Sequence, residues 1–247
     1  MNSETKQFAP AKVINPLGRG KVVLLCEHAS NHVPNQFDNL GMSPSDLESH
    51  AAWDPGALEL SLLLSRALDA PLIAATVSRL VYDCNRPPTA PSAMPEKSEL
   101  INVPGNVNMS SAQKDVRIME VYEPFCTTVT DVLKTRSADT VLVTVHTFTP
   151  KYFGKKRSVE LGLLHDSDSR LADEMLKQSH EIPNRIVRLN EPYAAEDGVT
   201  HSLREFAISR GMANVMLEVR NDLLRTEDDI EIMMRDVLTL LTPALKK

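Results

Sequence analysis

Short continuous apolar runs alternate along this chain with longer segments in which apolar residues return every three or four positions. The runs lie at residues 22–26, 71–77, 140–145, 159–164, 186–189 and 213–217, with Leu80-Val81-Tyr82 extending or following the second. Runs of this length, rich in Val, Leu and Ile, suit strands buried on both faces of a parallel sheet. The segments of helical period are 54–69, 110–136, 169–179, 201–210 and about 226–241, and Ser43-Pro44 opens a short helix of its own. Their punctuation is conventional: Asp54-Pro55 starts the first, Pro124 predicts a kink in the second, and Gly211 stops the fourth. Residues 1–20 read as a loose lead-in ending in the turn Pro16-Leu17-Gly18-Arg19-Gly20, and 86–107, with five prolines, as a long loop of the kind that is usually functional. Residues 190–198 read as a polar loop.

Strands that alternate with helices predict an α/β fold: a mostly parallel sheet with helices on both faces. No linker divides the 247 residues, so a single domain is expected. In such sheets ligands bind beyond the carboxyl ends of the strands. Glu27, His28 and Asn31 follow the first run, and Arg79, Asp83, Asn85 and Arg86 follow the second. His146 and Thr147 follow the 140–145 run, and Glu218 and Arg220 follow the last. Two histidines and several carboxylates at one edge make a candidate zinc site with an open coordination position. A further carboxylate beside such an ion suits metal-assisted hydrolysis, and nearby arginines suit a substrate carboxylate.

Each residue also has an ordinary reading. One histidine after a strand is more often a loop or cap residue than a ligand. The matching positions of His28 and His146 favour the metal role. His32 and His50 compete as ligands, while His165, His180 and His201 read as surface residues. Asp83 and Arg86 could be only a structural ion pair. Cys26 or Cys84 with a histidine would make a thiol–imidazole pair, but Cys26 sits inside an apolar run, where cysteine packs and does not react. No GxSxG, GxxxxGK[ST] or GxGxxG motif occurs.

Composition narrows the classes further. A net charge of −6 argues against a nucleic-acid binder, and 4% aromatic residues against a stacking surface for bases. Hydrophobic residues at 42% suffice for a core. No stretch approaches the roughly 20 apolar residues of a membrane span, and residues 1–12 lack the apolar run of a signal peptide. Three cysteines without a CxxC spacing read as reduced thiols of a cytoplasmic protein. A homo-oligomer is compatible with all of this.

Six ordered segments carry a resemblance. They are Cys26-Glu27-His28-Ala29-Ser30-Asn31, Asp54-Pro55-Gly56-Ala57, Ser78-Arg79-Leu80-Val81-Tyr82-Asp83-Cys84-Asn85-Arg86-Pro87, His146-Thr147-Phe148-Thr149-Pro150, Asn190-Glu191-Pro192-Tyr193 and Glu218-Val219-Arg220. Over roughly residues 20–240 the chain resembles the N-formylglutamate amidohydrolase family, itself similar to the zinc carboxypeptidase and aspartoacylase group. The resemblance implies a central mixed sheet with zinc at its carboxyl edge, and hydrolysis of a small acidic N-acyl amino acid such as N-formyl-L-glutamate. It implies His28 and His146 as metal ligands, Glu218 as the proton-transferring residue and Arg79 at the oxyanion. It also implies Asp83, Asn85 and Arg86 at the substrate, with Arg157 and Arg220 as further anion ligands. Asn31 stands where relatives carry the glutamate of an HxxE pair, and an uncharged amide is a poor zinc ligand. Asp54 is therefore expected as the third ligand, with Glu27 next in line. Another N-acyl amino acid or small peptide as substrate, and a non-catalytic binding protein on the same fold, are the alternatives.

Overall fold

The apolar runs pair side by side, because buried backbone groups need partners and a sheet supplies them. The computed structural model of the chain describes residues 8–246. Among these, seven strands form the main sheet: β1 (Ala11–Ile14), β2 (Val22–Cys26), β3 (Leu72–Ala75), β4 (Val141–Phe148), β5 (Leu161–Leu164), β6 (Val187–Leu189) and β7 (Asn214–Arg220). Their spatial order is β1-β3-β2-β4-β7-β5-β6. The pairs β3/β2, β2/β4, β4/β7 and β5/β6 are parallel. Only β1/β3 and β7/β5 are antiparallel. β2, β3, β4 and β7 therefore point the same way and end at one edge.

Side chains alternate between two buried faces. Val141, Val143, Val145, Val215, Leu217 and Val219 pack with α1 (Ala57–Ala67), α3 (Arg170–Lys177) and α4 (Glu227–Ala244). Val23, Leu25, Ile73 and Leu142 face the other way, against Val121, Phe125 and Val129 of α2, which winds through residues 111–134. Among the described residues no helix is long and apolar enough to cross a membrane.

Several expectations change. The lead-in 1–20, whose first seven residues lie outside those described, contains β1. Four residues with Lys12 exposed give no apolar run, and pairing with β3 makes them an edge strand. The first helix begins at Ala57, not Asp54, because Gly56 takes a left-handed conformation at φ 84°. A side chain there would also strike Leu224, 2.7 Å from its Cβ. Asp54 is thus no helix cap, and its carboxylate is turned elsewhere.

In α2 the expected kink at Pro124 appears as a widened turn over Ile118–Tyr122, where the Glu123 N–H reaches back to the Ile118 carbonyl. The wider turn makes room for a proline ring that would strike the carbonyl four residues earlier. Residues 201–210 likewise form no regular helix; a widened turn over Leu203–Ala207 runs into a tight one over Ile208–Arg210. Leu80-Val81-Tyr82 is buried but not a strand, and 86–107 holds a small hairpin, Lys97–Ser98 with Ile101–Asn102. β4 and β7 run past their apolar cores to include His146 and Glu218. Polarity marks no strand end where the polar side chain is itself buried.

Candidate functional site

The four co-directional strands deliver the polar residues to one edge. Glu27 and His28 leave β2, Asp54 sits in the turn before α1, and Arg79 and Asp83 lie beyond β3. His146 and Glu218 are register partners in neighbouring parallel strands, so their side chains project from the same face. Gly162 of β5 is opposite Glu218. A side chain on Gly162 would meet the Glu191 carbonyl at 2.1 Å, so glycine lets the segment before Tyr193 lie across the strand.

His28, Asp54 and His146 form a tight triangle. The two Nδ1 atoms are 3.1 Å apart, and each is 3.2 Å from Asp54 Oδ2. Asp54 is fixed by its own N–H, which donates to the His28 carbonyl at 2.9 Å, and by the Thr147 N–H, which donates to its Oδ2 at 3.2 Å. Three ligands at roughly 2.0–2.1 Å from a tetrahedral zinc would be about 3.3 Å apart, so the donor set and its spacing fit the ion. The outward nitrogens have carboxylates of their own. His28 Nε2 is 2.7 Å from Asp83 Oδ1, and His146 Nε2 is 3.2 Å from Glu27 Oε2. A proton on each Nε2 leaves each Nδ1 with a lone pair turned into the triangle, as metal-ligating imidazoles require.

Arg79 donates to Asp83 Oδ2 at 2.9 Å and to Asp54 Oδ1 at 3.4 Å. Burial alone would raise the Asp54 and Asp83 carboxyls, but the facing imidazoles and Arg79 outweigh it and hold both well below the usual carboxylate range. Burial would lower His146, yet Glu27 and Asp54 beside it carry it well above an ordinary imidazole. Glu218 behaves oppositely. Its Oε2 is buried without a hydrogen-bond partner among the described residues, and burial pushes the group up to about 7.

A cavity of about 330 Å³ opens over this cluster. That is near the lower end of ligand pockets, about 300–1,000 Å³, and suits a small molecule. Arg79, Asp83, Asn85 and Arg86 line it together with His28, Asp54, His146 and Glu218. Asn85 is engaged within the chain: its amide donates to the Val199 carbonyl at 2.5 Å and accepts from the Ser202 N–H at 3.0 Å. Arg157 stands apart from this lining. It packs against the rings of Phe148, Tyr152 and Tyr193 and donates to the Tyr193 hydroxyl at 3.0 Å. Arg220 donates to Asp222 at 2.8 Å and reaches Glu160 at 3.4 Å, also away from the cavity.

Asn31 donates to the Leu47 carbonyl at 3.0 Å and takes no place in the triangle. His32 is exposed and outside the cluster, and His50 pairs with Glu99 at 3.3 Å on the cavity wall. His201, expected at the surface, is half-buried and hydrogen-bonded to Tyr122 at 2.8 Å, and His165 is half-buried beside Asn190. Lys97 and Glu99 bring the long 86–107 loop to the wall as its length suggested, though not which of its residues would face the cavity, and Tyr152 was not foreseen there. Glu99 sits in a tight turn at φ 50°, and turn chemistry gives little sign of what the turn faces. Tyr193 is on the wall too; its motif was visible, its place was not.

The profile of the N-formylglutamate amidohydrolase family matches residues 20–225. A gene product of Agrobacterium tumefaciens of known crystal structure is 46% identical, with a TM-score of 0.94 over 97% of this chain and 96% of that one. The N-formylglutamate amidohydrolase of Ralstonia eutropha shares the fold at 19% identity, with a TM-score of 0.65 over 96% of this chain and 97% of its own. No curated protein matches the chain. With the strand order, the buried cluster and a profile that spans most of its length, the chain belongs to the N-formylglutamate amidohydrolase family and is an amidohydrolase.

Proposed function

We propose that this amidohydrolase is zinc-dependent and that it hydrolyses N-formyl-L-glutamate to formate and glutamate. The observation that carries the metal is the triangle of two Nδ1 atoms and one carboxylate oxygen at 3.1–3.2 Å, with a carboxylate behind each ring. His28, Asp54 and His146 would hold the ion. The chemistry zinc supplies when bound is Lewis acidity toward the acyl oxygen and toward water. Glu218 accepts a proton from the water that adds to the acyl carbon. It then donates that proton to the amine nitrogen as the C–N bond breaks. Arg79, positive and partly facing the cavity, offsets negative charge on the acyl oxygen.

Arg86 is our anchor for the substrate carboxylate. It lines the cavity, and its Nη1 donates to the Asn85 carbonyl at 2.8 Å; a guanidinium has further N–H donors with which to meet a carboxylate. Asp83 and Asn85 act on the substrate through what they hold, His28 in one case and the 199–202 turn in the other. Arg157 backs the wall through Phe148, Tyr152 and Tyr193, and Arg220 supports the Arg157 carbonyl from behind. Arg86→Ala is expected to raise KM for N-formylglutamate about tenfold to a hundredfold, with kcat changed much less. Steady-state kinetics reads both, and an equal loss in kcat with KM unchanged would reassign Arg86.

The reading as a whole is tested by zinc analysis of metal-replete protein and assays on N-formyl, N-acetyl and N-succinyl derivatives of glutamate and of a neutral amino acid. One zinc per chain and the highest kcat/KM on N-formylglutamate are expected. Protein without zinc defeats the metal; preference for another acyl group or a neutral amino acid defeats the substrate.

A further inference from the structure

Glu27 is the least exposed charged side chain of the cluster, with 0% of its side chain accessible. A carboxylate so placed is costly unless something compensates it. Among the described residues neither Oε1 nor Oε2 has a well-aligned hydrogen bond, and neither does His146 Nε2. Yet Oε2 and Nε2 lie 3.2 Å apart, within hydrogen-bonding distance. The Ser202 hydroxyl, also buried and without an aligned partner among the described residues, faces the same carboxylate. Ser202 is itself fixed from the other side, since its N–H donates to Asn85 Oδ1 at 3.0 Å.

We propose that Glu27 is a positioning residue: it accepts the Nε2–H of His146, fixes that ring's tautomer and rotation, and so presents Nδ1 to the metal triangle. Ser202 steadies the carboxylate from behind, and Asn85 ties Ser202 to the loop that carries Asp83. Glu27 makes no ligand bond in this account. Its Oε2 is on the far side of the ring, 3.2 Å from Nε2, while the triangle is built on Nδ1. The inference rests on the metal-centre reading above, but its effects are readable without turnover.

The experiment compares wild type, Glu27→Gln and Glu27→Ala by zinc competition against a chromophoric chelator. It adds ¹⁵N-histidine NMR of metal-free protein, with the His146 ring assigned from a His146 variant. Carboxylates behind ligating histidines typically contribute 10–100-fold in metal affinity. Both variants are expected to weaken zinc binding within that range, and wild type to show a protonated His146 Nε2 whose N–H resonance moves upfield in Glu27→Gln. The glutamine fills nearly the same space, so it decides the case if the alanine variant unfolds. Glu27 variants that bind zinc as wild type does, or a His146 Nε2 without a proton, overturn the proposal. A wild-type chain that binds no zinc would instead overturn the metal-centre reading itself.

Discussion

His146→Ala is expected to abolish stoichiometric zinc binding and to lower kcat/KM on the order of 10³-fold or more. Losing one of the three proposed ligands would remove Lewis-acid stabilisation of several kcal/mol, and each 1.36 kcal/mol is tenfold in rate. The same substitution strips Glu27 of the ring beside it and leaves a fully buried carboxylate without its main partner. Breaking a buried pair by removing one partner costs about 3–5 kcal/mol. The alanine variant should therefore also melt at lower temperature, and a lost activity could be blamed on folding. His146→Gln separates the two effects. Its amide nitrogen can take the place of Nε2 and donate to Glu27, while no nitrogen replaces Nδ1. Expected are zinc loss in both variants and a large stability loss only in alanine, read by metal analysis and chemical denaturation. Full zinc content in His146→Gln would remove His146 from the ligand set.

The strands were legible where the chain is uniformly apolar. Residues 22–26, 141–145 and 214–217 sit inside observed strands, because burial on both faces favours apolar side chains at most positions. β1 was not legible: its Lys12 faces solvent, and its strand character comes from pairing with β3 across the sheet. Nor do residues show that β5 and β6 run against β7, since the alternation of strands and helices does not set the direction of a crossover. In the site, His28 and His146 were visible as polar residues at strand ends, and topology did the gathering. The pairing of Glu27 with His146 was hidden, because it depends on which way adjacent side chains turn at the end of β2. The inward engagement of Arg157 and Arg220 was hidden for a similar reason. A guanidinium beside a site can serve the ligand or the wall, and only its neighbours decide. For Arg157 they are three aromatic rings, and for Arg220 two carboxylates.

Glu218→Gln should keep zinc and lower kcat by about 10²–10⁴-fold, the usual contribution of a general acid–base group. The substitution preserves size and buries no new charge, so structure and metal affinity should survive it. Its pH signature is distinctive. As a base Glu218 must be ionised, so wild-type kcat/KM should fall as acid protonates it. Burial places that group at about 7 in the metal-free protein. A nearby cation favours the carboxylate, so the acidic limb of the loaded enzyme belongs at or below 7, and it should vanish in the glutamine variant. Stability should move the other way. A carboxyl raised in the folded state above its unfolded value near 4.5 supports the fold fully below 4.5 and loses that contribution as pH rises through about 7. At 1.36 kcal/mol per unit, the loss is on the order of 3 kcal/mol. EDTA-treated Glu218→Gln should therefore match wild type at pH 4 and exceed it by up to that amount at pH 8. Denaturant titrations at the two pH values measure the difference. On the proposed role, Glu218 is a group held at a cost to the fold so that it can serve turnover, the way an active site trades stability for chemistry. Equal stability of the two proteins at pH 8, or a glutamine variant with undiminished kcat, would strip Glu218 of that role.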